Sequence, residues 1–114
     1  MFDCLFCKMI DGEIPIEKLG ENDKALAFKD ISPQAPVHAL IIPKKHIATT
    51  LDIKPTDAEY ISSMITLAQK VAQENTIDET GYRWVINTGK DGNQTVFHLH
   101  LHLLGGRTLN WPPG

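Results

Sequence analysis

Residues 97–104 of the chain read Phe97-His98-Leu99-His100-Leu101-His102-Leu103-Leu104. Histidine and leucine alternate here, and successive side chains of a β-strand point to opposite faces of the sheet. In a strand, the three imidazoles therefore share one face and three leucines share the other. On a helix, the same spacing would scatter the imidazoles around the axis. The stretch predicts a strand that buries its leucines and presents its histidines on one side.

Three imidazoles on one strand face suit phosphate chemistry. Imidazole is neutral and nucleophilic near pH 7, and it can form a covalent intermediate that water then hydrolyses. Two alternatives are hydrogen-bonded histidines without a chemical role, as isolated histidines usually are, and a metal chelate. The outer two of the three lie ~13 Å apart in a strand rising ~3.3 Å per residue, so at least one would remain available for chemistry.

Signals for secondary structure precede this strand. Thr56 and Glu59 have the spacing of a capping box, and apolar residues then recur every three or four positions, which predicts a long helix ending near Asn75. Glycine and asparagine residues predict a turn over 89–93. The predicted strands are 24–30, with one buried face, 37–42, 84–86 and 96–104, and a short helix is predicted over 4–10.

Strands outnumber helices in this order and do not alternate with them one for one. The order favours an α+β fold, an antiparallel meander with its helices packed on one face of the sheet. A parallel α/β sheet would need a crossover helix between each pair of strands. A chain of 114 residues has room for one core, so a single domain over residues 1–114 is predicted.

The composition is 42% hydrophobic and 22% charged, which is ordinary for a globular protein. The net charge of −3 argues against nucleic acid as the main partner, because phosphate backbones are held largely by clustered Lys and Arg. No stretch approaches the ~20 apolar residues of a membrane span, so no membrane partner is expected. Asp3 stands where a signal peptide has basic charge, and a cytoplasmic location is therefore expected.

The two cysteines stand in the segment Cys4-Leu5-Phe6-Cys7. A Cys-x-x-Cys pair has the spacing of zinc ligands but supplies only half of a tetrahedral site. A redox motif is the second interpretation, although it would be expected beside a βαβ pattern that this sequence lacks. Two unrelated buried cysteines are the third.

Several motifs together resemble the histidine-triad (HIT) family. Residues 94–104 are similar to the family motif His-φ-His-φ-His-φ-φ, in which φ is apolar. The order and spacing of further segments resemble the Hint branch, the purine nucleoside phosphoramidases. These segments are residues 30–36, His38, and residues 42–47, 105–107 and 111–114. The resemblance extends from about Phe6 to Gly114.

The resemblance implies an active site on the triad strand. His100, the central histidine, would be the nucleophile that takes the nucleotidyl group. His102 would hold and polarise the site with His38 behind it, and the Thr95 hydroxyl would contact the leaving group. The branch usually has Ser at the position of Thr95, and Thr at this place also resembles the dinucleoside polyphosphate hydrolase branch. The implied substrate-binding residues are Asn87, Gln94, Asp30, Phe28, Ile31, Trp111 and His98.

The resemblance also implies what some of these residues contact. Asp30 would accept from the ribose hydroxyls, Phe28 and Ile31 would wall the base pocket, and Trp111 would reach toward the site of a partner subunit. From the residues alone, other interpretations stay open: Asn87 and Asp30 as turn residues, His38 as a hydrogen-bonded core histidine and Trp111 as a packing anchor.

The fold implied is a five-stranded antiparallel sheet with one long and one short helix, continued across a homodimer. The activity implied is hydrolysis of the P–N bond of purine nucleoside 5′-phosphoramidates through a nucleotidyl-histidine intermediate on His100. The alternatives are a dinucleoside polyphosphate hydrolase and a nucleotide-binding or interaction module with incidental activity. A purine nucleotide is the expected small-molecule partner.

The resemblance further implies a structural zinc ion and no catalytic metal. Bacterial relatives bind zinc through such a cysteine pair and two histidines, and the matching positions are Cys4, Cys7, His46 and His98. Four protein ligands close the site, so no position is left for an activated water.

Overall fold

The computed structural model describes residues 3–114 as an α+β fold. Its regular elements in chain order are α1 (Leu5–Ile10), β1 (Lys18–Glu21), β2 (Ala25–Lys29), β3 (Val37–Pro43), two 3-10 turns (Thr50–Asp52 and Pro55–Asp57), α2 (Ala58–Glu74), β4 (Tyr82–Val85) and β5 (Leu101–Gly105). The α+β class and the long and short helices are as predicted, and the number of strands is the five that the family resemblance implied. Within these residues, the helices are too short or too polar to cross a membrane.

All strand pairs in the sheet are antiparallel, as predicted, but the order is β1-β2-β3-β5-β4. This departs from a simple meander, because β5 is inserted between β3 and β4. Leu101 and Leu103 of β5 are almost completely buried, whereas β4 is partly exposed along its length. The more apolar strand therefore takes the inner position, and His102 lies opposite Leu40 on one side and Val85 on the other.

The two helices pack on opposite faces of the sheet, so the prediction that both pack on one face is wrong. The face under α2 contains alanines and branched residues such as Ala25, Ala27 and Ile41. The opposite face contains Leu26 and Phe28 together with Phe6 of α1. The single buried face predicted for β2 is wrong for the same reason, because a helix covers each side.

The triad strand is regular only over Leu101–Gly105, although the prediction extended it from residue 96. The alternation survives in the irregular part, because Leu99 remains in the core and its amide donates to the Ile47 carbonyl at 2.6 Å. The strand β1 was not assigned from the sequence. Its Gly20 lies so close to α2 that an added Cβ would be 3.0 Å from Leu67. Glycine is required for this close approach, and because it has no side chain it adds nothing to a hydrophobic alternation in the sequence.

The long helix begins differently from the prediction and ends as predicted, at Asn75. The capping box of Thr56 and Glu59 does not form. Instead, the Asp57 carboxylate accepts from the Lys54 amide at 3.0 Å and from the Lys45 ammonium at 2.5 Å. Asp57 is almost completely buried, and its position at the 3-10 turn allows this pairing.

Gly105 offers a test of packing between β5 and the segment after α2. A Cβ at Gly105 would lie 2.7 Å from the Ile77 Cδ1 atom, and Ile77 is itself buried. We expect Gly105→Ala to lower the free energy of unfolding by about 1–3 kcal/mol through overpacking, measured by urea denaturation. In the Ile77→Ala background the same change should cost less, because the crowding atoms are gone. Additive effects of the two substitutions would contradict this explanation.

Candidate active site and metal cluster

A cavity of about 740 Å³ opens on the sheet face that α1 covers. Six residues predicted from the sequence line it together: Phe28, Asp30, Ile31, Thr95, His100 and His102. The other lining residues are Leu5, Phe6, Met9, Pro15, Ile16, Glu17, Lys29, Pro33, Leu40 and Val96. Most of the lining residues are apolar, and Thr95, His100 and His102 are among the polar ones; the part of the cavity at these three residues is called the polar end below. A mostly apolar cavity with a few polar groups is typical of small-molecule sites.

The geometry around His100 defines which ring nitrogen carries the lone pair. Its Nδ1 lies 2.7 Å from the main-chain carbonyl oxygen of His98, and a carbonyl oxygen can only accept. Nδ1 therefore carries the proton, and in the neutral ring the lone pair is on Nε2. His100 is 6% exposed, so the surrounding groups constrain its orientation. The arrangement leaves an oriented imidazole with a basic Nε2 at the polar end of the cavity.

His38 and His102 form a hydrogen-bonded pair behind His100. The Gln34 amide donates to His38 Nδ1 at 3.0 Å, so His38 carries its proton on Nε2. His38 Nε2 then donates to His102 Nδ1 at 2.9 Å, which places the proton of neutral His102 on Nε2. The rings of His100 and His102 lie 5.0 Å apart between centroids. The Gln34 amide thus determines the tautomer of His38, and His38 in turn determines the tautomer of His102.

Burial keeps this pair neutral near pH 7. It lowers the pKa of His102 to about 4, and the neighbouring His100 and His38 rings act in the same direction. Burial also lowers the pKa of His38, although the nearby Asp30 carboxylate opposes the change. A neutral His102 retains its Nε2 hydrogen as a donor in the ring beside His100.

Asp30 makes the contact of a turn residue and also lines the cavity. One carboxylate oxygen accepts from the Ser32 amide at 2.8 Å, which is the contact of a turn residue. The other oxygen lies 3.4 Å from His38 Nε2, and Asp30 also lines the cavity. The turn contact orients the carboxylate at the wall of the cavity.

Four predicted substrate-binding residues lie outside the described lining of this cavity. Gln94 is buried, and its amide accepts from the Gly89 amide and donates to the carbonyls of Ala48 and Val96. These three contacts attach the side chain to the backbone around its own loop, and Gln94 is not among the residues that line the cavity. The prediction of direct contact by Gln94 is therefore not supported by the geometry.

Asn87, Trp111 and His98 are the other three. Asn87 follows β4, and Trp111 is 80% exposed in the C-terminal segment with the Arg83 guanidinium 6.0 Å from its ring. His98 is completely buried and turned toward the two thiols. The placement of His98 matches its predicted metal role and not its predicted substrate role, because a ring enclosed in this way has no access to the cavity.

Four donor groups converge beside the triad, as the cysteine spacing and the family resemblance indicated. The ligand atoms of Cys4, Cys7, His46 and His98 all lie within 4.8 Å of one another. Three of the sulfur-to-Nδ1 distances are 3.4, 3.5 and 3.6 Å. Tetrahedral zinc with Zn–S ~2.3 Å and Zn–N ~2.05 Å requires about 3.6 Å between such atoms. The residues present therefore fit a zinc ion, and these four residues are called the metal cluster below.

Protonation and hydrogen bonding prepare His98 for coordination. Its Nε2 lies 2.9 Å from the Pro43 carbonyl oxygen and must donate to it, so the Nδ1 lone pair faces the thiols. Burial lowers the pKa of His98 to about 4, which keeps the ring neutral. Burial and the neighbouring Cys4 thiol raise the pKa of Cys7 to about 11. A cation bound here would displace the thiol proton, since the thiolate is the ligand.

The wall that α1 contributes to the cavity was missed from the sequence. Leu5, Phe6 and Met9 all line the cavity. The signal was present, because these apolar residues lie within and directly after the Cys-x-x-Cys segment. A short helix tied to a metal cluster beside the triad must place its apolar side chains over the same sheet face.

Comparison with known proteins agrees with this fold. A family model described as HIT domain matches residues 11–109. The chain is 48% identical over 112 residues to a protein of Synechococcus elongatus described as an uncharacterized HIT-like protein, covering 98% of this chain and 97% of that protein. The chain belongs to the HIT family.

Solved structures give the same result. A HIT family hydrolase from Legionella pneumophila is 53% identical with a TM-score of 0.95, covering 98% of this chain and 100% of that chain. A histidine triad nucleotide-binding protein from Candida albicans is 37% identical with a TM-score of 0.83, covering 96% and 83%. The fold is thus one shared by HIT family hydrolases and by a nucleotide-binding member of the family.

Proposed function

We propose that this protein hydrolyses the P–N bond of purine nucleoside 5′-phosphoramidates, with His100 as the nucleophile. The observation that carries the proposal is the hydrogen bond from His100 Nδ1 to the His98 carbonyl oxygen, which places the lone pair on Nε2. An oriented neutral imidazole at the polar end of a cavity is suited to attack a phosphorus atom without assistance from a metal.

The shape of the cavity supports a nucleotide as the ligand. A purine base would lie against the apolar wall formed by residues such as Phe28 and Ile31, and the ribose hydroxyls would donate to the Asp30 carboxylate. This places the α-phosphate at the triad, where the His102 Nε2 hydrogen and the Thr95 hydroxyl can donate to it or to the leaving group. The volume of about 740 Å³ is ample for a nucleoside monophosphate.

The reaction proceeds by two displacements. His100 Nε2 attacks the α-phosphorus, the P–N bond breaks, and the departing nitrogen takes a proton from the donors at the polar end. The resulting nucleotidyl-imidazolium is stabilised by the charge-assisted hydrogen bond from His100 Nδ1 to the His98 carbonyl oxygen. Water then attacks the phosphorus and gives its proton to the donor that was deprotonated in the first step. The P–Nε2 bond breaks, its electron pair returns to Nε2, and the nucleoside monophosphate leaves with His100 neutral again.

Steady-state hydrolysis of two substrates tests this function. One is an adenosine 5′-phosphoramidate that carries a fluorogenic amine, and the other is a diadenosine triphosphate. Phosphoramidate turnover with a kcat/KM well above that for the dinucleotide would support the proposal. The reverse preference would indicate the dinucleoside polyphosphate activity that the Thr95 position also resembles. Binding of AMP without turnover of either substrate would indicate a binding module.

His38 gives a prediction about the hydrogen-bonded pair. We expect His38→Asn to lower kcat for the phosphoramidate about 10²-fold, because His102 would lose the donor that sets its tautomer. The KM should change little, since His38 lies behind His102 instead of lining the cavity. The measurement is the separation of kcat and KM by steady-state kinetics. A large rise in KM with unchanged kcat would show that His38 acts on substrate binding instead.

We further propose that the metal cluster holds a structural zinc ion. The convergence of two thiols and two imidazoles, with spacings near those of tetrahedral zinc, supports this assignment. When bound, zinc would tie α1 to the triad strand. The cluster residues are not among the lining of the cavity, which is consistent with a structural role.

A homodimer remains part of the proposal. In the described chain β1 and β4 are the edge strands of the sheet, and an edge that pairs with a second copy is protected from other association. The exposed Trp111 is available to reach a second subunit. Sedimentation velocity would give the oligomeric state directly, and a monomer at micromolar concentration would contradict the dimer.

A further inference from the structure

The short helix α1 lies between the metal cluster and the cavity and contributes to both. Cys4 caps its N-terminus and Cys7 lies in its first turn, and both thiols belong to the metal cluster. Three of its six residues, Leu5, Phe6 and Met9, line the cavity. A metal ion that fixed the two thiols would therefore also fix one wall of the proposed nucleotide site.

Phe6 is the residue of α1 that contacts both sites at once. It is 4% exposed, and its ring meets the His100 ring edge to face, with centroids 5.2 Å apart and planes at 85°. The same ring meets His98 of the metal cluster at 5.8 Å and 71°. Edge-to-face pairs favour one relative orientation of the rings, so the position of Phe6 constrains the orientation of His100.

A second connection runs through the backbone of the triad segment. His98 places its ring in the metal cluster, and its carbonyl oxygen accepts the Nδ1 hydrogen of His100 at 2.7 Å. Holding His98 in place therefore also holds the acceptor that sets the tautomer of His100. The two connections, one through a ring and one through a carbonyl, act on the same imidazole.

We propose that Phe6 is a positioning residue that couples metal binding at the cluster to nucleotide binding in the cavity. A helix of six residues is too short to be stable by itself. Without a metal, α1 therefore becomes more mobile, and the cavity wall and the His100 ring are no longer held in one position. By linkage, the metal raises the affinity for nucleotide, and the nucleotide raises the affinity for metal by the same factor. This inference rests on the proposed function, since it takes the cavity as a nucleotide site.

The coupling is measured with AMP and zinc as the probes. Isothermal titration calorimetry gives the Kd for AMP with the zinc-loaded and with the zinc-free protein. We expect AMP to bind about tenfold more weakly without zinc, within the usual range of coupling between sites. Competition with a chelator gives the zinc affinity with and without AMP, and it should change by the same factor.

Two variants on the same helix separate Phe6 from the rest of α1. Phe6→Leu retains all four ligands and an apolar side chain, so it should bind zinc, while the coupling factor falls to the smaller part carried by the His98 carbonyl. Lys8→Ala is the matched control, because Lys8 pairs with Asp3 and lies outside both the cavity lining and the metal cluster. It should keep the wild-type coupling factor.

Several results would overturn the inference. These are an equal Kd for AMP with and without zinc, an unchanged coupling factor in Phe6→Leu, and failure of the wild type to bind zinc. Loss of most of the helical circular-dichroism signal, to which α2 contributes most residues, in the zinc-free protein would also overturn it. The coupling would then reflect global unfolding.

A different result would indicate failure of the proposed function alone. If the zinc-loaded wild type binds no AMP, the cavity is not a nucleotide site. The NMR resonances of the His100 ring then decide whether Phe6 transmits metal binding. A shift on zinc loading in the wild type that is clearly smaller in Phe6→Leu supports the positioning role, and an equal shift in both proteins or no shift in the wild type refutes it.

Discussion

Replacing His100 with alanine is expected to lower kcat for an adenosine 5′-phosphoramidate by about 10⁴-fold or more, because the covalent route through Nε2 is lost. The other groups at the polar end, His102 and Thr95, cannot form the nucleotidyl intermediate in its place. Rapid-quench trapping should show a nucleotidyl-protein in the wild type and none in the variant. Binding of AMP should remain within a few-fold of wild type, since the apolar wall and Asp30 are unchanged.

The control for this experiment cannot be another histidine. The five histidines of the chain are His38, His46, His98, His100 and His102, and all belong to the triad region or to the metal cluster. Phe97→Leu is a suitable neighbour, because Phe97 is 53% exposed and is not among the lining residues of the main cavity. Residual activity of His100→Ala near that of Phe97→Leu would refute the covalent mechanism.

Loss of the metal has the second largest expected effect, and it acts on stability. We expect zinc removal, or Cys4→Ser in zinc-containing buffer, to lower the Tm by about 15 °C. Free zinc at ~1,000 times its Kd contributes about 4 kcal/mol, and each kcal/mol moves the Tm of a domain of this size by roughly 3–5 °C. Differential scanning calorimetry gives the Tm, and elemental analysis gives the zinc content of the same samples.

The origin of that loss can be isolated with the zinc-free wild type. If the stability comes from the metal, Cys4→Ser should differ little from the wild type once both proteins are free of zinc, because serine keeps the size and the capping ability of the side chain. A Tm difference of the same size in zinc-free samples would instead assign the effect to packing of the buried Cys4. A wild type purified without chelator and containing well under one zinc per chain would contradict the zinc assignment itself.

Local signals were sufficient for the elements whose pattern is periodic. The strand β3, the long helix α2 and the two faces of the triad segment follow from apolar spacing, and the structure confirms them. The strand β1 escaped prediction because Gly20 fits closely under α2 and therefore shows no alternation. The start of α2 was misplaced because Asp57 finds a partner in Lys45, twelve residues earlier in the chain, and a local capping pattern contains no information about such a contact.

The residues of the site also divide into those that could be predicted from the sequence and those whose placement only the structure shows. Identity and spacing indicated the triad and the cysteine pair, and the family resemblance indicated the cavity residues Phe28, Asp30 and Ile31. Gln94 was predicted as a substrate-binding residue, yet its amide bonds to three backbone groups, those of Gly89, Val96 and Ala48. Whether a polar side chain faces a ligand or the backbone depends on the path of the surrounding loops, which the sequence around Gln94 does not reveal.

The sequence by itself determined that this protein has an antiparallel α+β fold, that three histidines share one side of the triad segment and that leucines occupy the other. These follow from the two-residue period of extended chain and the burial of apolar groups. Only the tertiary structure decided that β5 lies between β3 and β4, that the two helices cover opposite faces, and that Phe6 meets His100. Those features depend on contacts between segments as much as 94 residues apart, where shape and burial select the partners and local sequence does not.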